Sequence, residues 1–184
     1  VAKLKEIGNS AFKYQSLGYY DPNPIDGSDN YKYFTPDVPL RFPRTLTDIG
    51  ESAFEELDGT YPVDFSQATL LKNIGDKAFI NTNFHKESSP LELKTDNLEL
   101  IGSNAFHLDN TDFELTINIK SLNKLHKIGD TPFNQIVNYP ENIVFTSNLY
   151  YIGDKALYVD KSGSSYHNSE ILTVSFDQTN ALQR

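Results

Sequence analysis

The chain has 184 residues, a formal net charge of −9, and neither cysteine nor methionine. An acidic surface repels phosphate backbones and anionic lipid headgroups, so nucleic acids and membrane surfaces are poor partners. The missing cysteines exclude disulfides, thiolate zinc clusters and thiol nucleophiles, and no run of 18 apolar residues offers a bilayer span. With 38% hydrophobic residues, 12 Phe and 11 Tyr, the chain is too apolar to be disordered, and its length suits one domain or a run of about six repeats. A chain that opens on Val1 and contains no Met reads as a processed or excised piece of a longer protein.

The first element is a nine-residue phrase, L-K-E-I-G-N-S-A-F, at residues 4–12, and it recurs as L-x-x-I-G-x-x-A-F. Later copies occupy 46–54, 71–79, 98–106, 125–133 and 149–157. The Ile-Gly pairs are separated by 42, 25, 27, 27 and 24 residues. A step that recurs near 25 belongs to stacked repeat architectures, in which each unit covers its neighbour. The spacing of Leu, Ile, Ala and Phe also suits one face of a helix, but a central Gly costs a helix about 1 kcal/mol relative to Ala. The residue after each Gly is Asn9, Glu51, Asp76, Ser103, Asp130 or Asp154, and five of these six are helix-capping types. The phrase is therefore read as extended backbone through Leu and Ile, a bend at Gly, then one capped helical or 3₁₀ turn. Pro132 replaces Ala in the fifth copy and is compatible with such a first turn.

Residues 13–38 separate the first two copies and account for the long first step. Pro22, Pro24, Gly27 and Pro36 mark this insertion as a turn-rich loop. It carries Tyr14, Tyr19, Tyr20, Tyr31, Tyr33 and Phe34 among Asp21, Asp26, Asp29 and Asp37. Tyrosine rings offer large contact areas at low entropic cost, so Tyr19, Tyr20, Tyr31 and Tyr33 are candidate partner-binding residues. The competing reading is that the rings pack on the flank and hold the loop down.

Upstream of the later phrases lie short alternating segments: L-R-F at 40–42, V-D-F at 63–65, L-E-L at 91–93 and I-N-I at 117–119. I-V-F at 143–145 and V-S-F at 174–176 continue the series. Alternation of apolar and polar residues is the pattern of a half-buried strand. One strand per repeat predicts a parallel sheet along a solenoid, with the polar positions aligned outward. That stripe contains Arg41, Pro43, Asp64, Ser66, Glu92, Lys94, Asn118, Lys120, Val144, Thr146, Ser175 and Asp177. Of these, Arg41, Asp64, Glu92, Lys94, Asn118, Lys120, Thr146 and Ser175 are the polar candidates for partner contact, since a solenoid's sheet face is a long rigid array.

The phrase and its upstream strand together resemble the BspA-like, or TpLRR, class of leucine-rich repeats of microbial surface proteins. That class reads L-x-x-I-x-I-P-x-x-V-x-x-I-G-x-x-A-F, and residues 39–54, P-L-R-F-P-R-T-L-T-D-I-G-E-S-A-F, follow it most closely. The family proline at the strand end appears only as Pro43, its frequent Cys is missing, Pro132 stands for Ala and Leu157 for Phe. The resemblance implies a β-dominated leucine-rich-repeat solenoid of the α/β class, with a parallel sheet on the concave face and short turns, 3₁₀ helices and short strands on the convex face. It implies a single domain over 1–184, extracellular or anchored at a cell surface, that binds a protein or glycan as adhesins do.

Catalytic and metal-binding patterns are weak. Residues 21–29, D-P-N-P-I-D-G-S-D, lack the Gly and Glu that an EF-hand requires, because Asp26 and Lys32 occupy those places. His85, His107, His126 and His167 fall in separate repeats with no i, i+4 partner, so each reads as an exposed loop residue and no zinc site is expected. Ser165 and His167 lie in a G-S-S-Y-H stretch without the closing Gly of a nucleophile elbow. A non-catalytic, monomeric interaction module without cofactors is the expected function, and a passive spacer presenting another domain is the alternative.

Overall fold

A computed structural model describes residues 3–15, 18–20, 31–33, 39–57, 62–82, 91–108, 116–133, 136–138, 142–158 and 173–176. Fifteen short strands lie among them: β1 (Glu6–Ile7), β2 (Gly18–Tyr20), β3 (Tyr31–Tyr33), β4 (Leu40–Arg41), β5 (Asp48–Ile49), β6 (Val63–Asp64), β7 (Asn73–Ile74) and β8 (Leu91–Leu93), followed by β9 (Leu100–Ile101), β10 (Thr116–Ile119), β11 (Lys127–Ile128), β12 (Ile136–Asn138), β13 (Asn142–Phe145), β14 (Tyr151–Ile152) and β15 (Thr173–Phe176). The chain is a parallel β-solenoid, and the described residues contain no helix.

The six phrases each supply one strand to an unbroken parallel sheet, in the order β1-β5-β7-β9-β11-β14. Their isoleucines stand directly opposite one another: Ile7 with Ile49, Ile49 with Ile74, Ile74 with Ile101, Ile101 with Ile128, and Ile128 with Ile152. The backbone bond that fixes this register runs from each Gly N–H to the preceding winding's Ile carbonyl, as in Gly50 to Ile7 and Gly75 to Ile49, both 2.8 Å.

The glycine is required by crowding between windings. A Cβ on Gly102 would lie 2.3 Å from the Asp76 nitrogen and 2.4 Å from the Gly75 carbonyl carbon, and Gly50, Gly75, Gly129 and Gly153 meet the same obstruction. No side chain fits between backbones stacked this closely.

The turn after each Gly differs from the expected helical one. The second residue past the Gly is left-handed in all six copies, from Ser10, Ser52 and Lys77 at φ 55° to Asn104 at 54°, Thr131 at 39° and Lys155 at 52°. A single left-handed residue cannot continue a right-handed helix, and the N–H groups divide their bonds accordingly. Ser52, Phe54 and Glu56 donate across to the carbonyls of Asp76, Ala78 and Ile80 at 2.8–2.9 Å, whereas Ala53, Glu55 and Leu57 donate back within their own winding at 3.1–3.3 Å. Pro132 occupies a position that donates only within its winding, so its missing N–H leaves the stack intact. Its carbonyl still accepts from Phe106 N–H at 2.8 Å.

The capping-type residues act between windings. The Oδ1 of Asn9 accepts from Glu51 N–H at 3.0 Å, Asp76 from Ser103 N–H at 2.8 Å, and Asp130 from Asp154 N–H at 2.9 Å, while Ser103 Oγ accepts from Asp130 N–H at 3.0 Å. Each cap satisfies the backbone of the next winding instead of starting a helix.

Inside, the phenylalanines of the first five phrases form one stack. Ring centroids are 5.1 Å apart for Phe12–Phe54, 5.0 Å for Phe54–Phe79, 5.1 Å for Phe79–Phe106 and 5.6 Å for Phe106–Phe133. Phe42 and Phe65, from the upstream strands, stack at 4.4 Å and meet this column edge-on. Apart from Phe12, these rings are buried with the repeat Leu and Ile residues of the inner windings in one continuous core. Ring pairs of this kind contribute beyond the area they bury.

The upstream strands are less regular than the expected single ladder. They form a β4-β6 pair, a sheet in the order β12-β10-β8 and a β13-β15 pair, all parallel. Residues 143–145 are a strand, as expected, but their partner is β15. The partner of β10 is β12, which follows the fifth phrase and aligns Asn138 with Asn118. Ile143 and Phe145 remain buried, so the core continues past this break.

Candidate functional site

The strand side brings the predicted polar residues into one stripe, and β4, β6, β8 and β10 position them. Apolar neighbours turn inward: Phe42, Val63, Phe65, Leu91, Leu93, Ile117 and Ile119 are buried. Strand alternation then sends Arg41, Asp64, Glu92 and Asn118 outward, and each of these four is exposed or half-buried. The register places Arg41 beside Asp64 and Asn118 beside Glu92.

Within the stripe the side chains pair across windings. Arg41 Nε lies 3.5 Å from Asp64 Oδ2, Asn118 Nδ2 donates to Glu92 Oε1 at 2.7 Å, and Lys120 Nζ is bonded to Asp96 Oδ2. Partial burial works against the charge of Asp64. The Ser66 hydroxyl, its N–H at 2.8 Å and the Arg41 guanidinium outweigh that cost and hold the carboxyl below its ordinary range. Asp96 was missed in the sequence, although an opposite charge one repeat period from Lys120 is the signal that finds it.

The rest of the stripe is less uniform. Lys94, Val144 and Ser175 are exposed, whereas Thr146 is half-buried and its hydroxyl oxygen is shut off from solvent without a hydrogen-bond partner among the described residues. Asp177 lies outside the described residues.

The other candidate region contains more order than the turn-rich reading foresaw. β2 and β3 form an antiparallel ribbon, with Gly18 opposite Tyr33, Tyr19 opposite Lys32 and Tyr20 opposite Tyr31. It brings Tyr19, Tyr20, Tyr31 and Tyr33 onto two adjacent strands. Residues 21–30, with most of the loop's aspartates, lie outside the described residues. At the base of the insertion Lys13 Nζ sits 3.0 Å from Glu55 Oε2 and 4.7 Å from the Tyr14 ring centroid.

Two of the histidines are not exposed loop residues. His107 and His126 are half-buried, and their backbones bond to neighbouring windings, His107 carbonyl to Asn81 N–H at 2.8 Å and His126 N–H to Glu99 carbonyl at 2.7 Å. His85 and His167 lie outside the described residues. Among the described residues no three His, Asp or Glu side chains gather as a metal site, and no helix is long and apolar enough to cross a membrane.

With this geometry in place, residues 38–162 match the family model of the BspA type leucine rich repeat region, in six copies. The chain belongs to the BspA-type leucine-rich repeat family. The BspA-type match leaves out the phrase at 4–12, yet β1 pairs with β5 in the same sheet as the others. The first winding therefore shares the sheet and the register of the matched windings. No curated protein and no solved structure matches the chain significantly.

Proposed function

We propose that the chain is a non-catalytic interaction module that holds a protein or glycan partner at a cell surface or in the extracellular space. Its family supports a repeat module for protein interaction. The observation that carries the reading is the stripe of Arg41 and Asp64 on the β4-β6 pair and Glu92 and Asn118 on the β8-β10 pair, with Lys94 and Lys120 beside it. A rigid backbone holds these groups at one-winding spacing, so a partner meets them without paying to order them. The tyrosine ribbon, with Tyr19, Tyr20, Tyr31 and Tyr33, is the second contact element of this reading. Binding to arrays of matrix proteins and glycans, repeated after Arg41→Ala, Asp64→Ala, Glu92→Ala and Asn118→Ala together, tests it. Partner capture by the parent chain that disappears in the quadruple variant is expected, and undiminished capture removes the strand side from the interface.

A second reading is a passive spacer that presents another domain. One specific observation favours it: Arg41–Asp64, Glu92–Asn118 and Lys120–Asp96 satisfy one another across windings. A stripe whose charges are already paired is also what a solvated stalk requires. Absence of capture by the parent chain across the whole array supports the spacer.

A further inference from the structure

We propose that Lys94 and Lys120, on the strand side, form an anion subsite whose ligand is an acidic glycan of the polyuronate class. The inference rests on the reading of this stripe as a contact surface and names the chemistry of the contact. Lys94 and Lys120 follow Leu93 and Ile119, which stand opposite one another in the β8-β10 pair. The backbone ladder runs on past the strand ends, with Lys120 N–H donating to the Leu93 carbonyl at 3.2 Å. The two lysines therefore occupy neighbouring outward positions, on backbones about 4.8 Å apart. β10 lies between β8 and β12, so Lys120 is exposed by the face it points from and not by an open edge. Like charges set opposite one another destabilise a sheet. Elsewhere on this side the register sets complementary groups together, Arg41 with Asp64 and Asn118 with Glu92. Asp96 is bonded to Lys120 and so answers one of the two charges. Lys94 is exposed and has no ion-pair or hydrogen-bond partner among the described residues.

The surroundings select the kind of anion. Glu92 and Asn118 lie two residues back along the same strands, and just beyond them Lys124 Nζ bonds Asn97 Oδ1 at 2.8 Å. Lys94, Lys120 and Lys124 thus stand among the carboxylates of Glu92 and Asp96 and the amides of Asn97 and Asn118. A densely sulfated chain would meet those carboxylates as well as the lysines and be repelled. A polyuronate offers sparse carboxylates to the ammonium groups, and hydroxyls, which both donate and accept, to the carboxylates and amides. A pyranose holds these groups on one rigid ring, whereas an acidic peptide presents its carboxylates on side chains that must be ordered on binding. The net charge of −9 opposes any anion at long range. Screening over about 8 Å at physiological ionic strength leaves the nearby lysines in control.

Titration calorimetry of the whole chain with polygalacturonate, at several salt concentrations, tests this, with heparin and polyglutamate as comparison ligands. Binding of polygalacturonate that weakens as salt rises is expected. Lys94→Ala is expected to weaken it about tenfold, the loss of one charge-assisted contact, and Lys94→Arg to retain it. The denaturant midpoint of Lys94→Ala is expected to stay at or above that of the parent, because the repulsion with Lys120 is gone, so lost binding is not lost folding. Three results overturn the proposal: no binding of polygalacturonate, binding indifferent to Lys94→Ala, or tighter binding of heparin or polyglutamate. A chain that captures a protein or a neutral glycan but ignores polygalacturonate overturns this inference alone and leaves the interaction module standing. A chain that captures nothing overturns both.

Discussion

Truncating Phe79 to alanine strikes the middle of the phenylalanine column. The ring is 1% exposed, lies between Phe54 at 5.0 Å and Phe106 at 5.1 Å, and meets Phe65 and Phe42 edge-on at 5.7 and 6.3 Å. Buried Phe→Ala changes cost about 3–5 kcal/mol, and each lost ring pair adds roughly 0.5–1.5 kcal/mol beyond area. A cavity bounded by two stacked rings in a hydrogen-bonded backbone has little room to collapse, so a loss near the top of that range, about 5 kcal/mol, is expected. Phe12 is the internal control: it is chemically identical, 45% exposed and, among the described residues, stacked on Phe54 alone. Phe12→Ala is expected to cost about 1–2 kcal/mol, since much of its surface is already in water. Denaturant melts followed by circular dichroism measure both, and hydrogen exchange locates the damage at the windings around 54, 79 and 106. A Phe79→Ala variant no less stable than Phe12→Ala would refute the view that the stacked column is what joins the windings.

Gly102→Ala is expected to destabilise by about 1–3 kcal/mol through overpacking against Asp76 and Gly75, read as a lowered denaturant midpoint. Pro132→Ala is expected to shift stability by less than about 1 kcal/mol, since the substitution regains one within-winding bond and loses proline's rigidity in the unfolded chain. For pH, burial opposes the charge of Glu55, but the Ser52 hydroxyl and Lys13 together lower its carboxyl below the ordinary value, and Asp64 is also lowered. A depressed carboxylate contributes stability that is present above its unfolded pKa and is lost as pH falls through the folded one. The stability difference between the parent chain and Glu55→Gln is therefore expected to hold near neutrality and to shrink below about pH 4, as measured by denaturant melts across pH.

The solenoid was legible because one strand in each winding announces itself. Six Ile-Gly pairs at near-constant spacing become six parallel strands with isoleucine facing isoleucine. The role of Asn9, Asp76, Ser103 and Asp130 was harder to read, because short polar side chains suit a helix cap and a cross-winding acceptor equally. Only the left-handed residue after each one separates the two cases. β12 escaped notice because I-V-N at 136–138 shows no full alternation and follows a phrase instead of preceding one. Arg41, Asp64, Glu92 and Asn118 fall on strands and Lys94 and Lys120 just past strand ends, and the cross-pairing of the stripe depends on residues about one winding apart, which only a folded register brings together. The ribbon of β2 and β3 was marked by tyrosines, which favour strands, yet the separation of the two segments gave no hairpin-turn signal.

The first two phrases pair Glu6 with Asp48 and Ile7 with Ile49 although the isoleucines are 42 residues apart in sequence. Their junction bonds match those of neighbours 25 residues apart, with 2.8 Å from Gly50 to Ile7 and 2.8 Å from Gly75 to Ile49. The corner leading out of the first turn is thus indifferent to how much polypeptide departs from it. It is a natural graft point, where foreign sequence could be spliced in at the cost of loop closure alone, which grows only slowly with length.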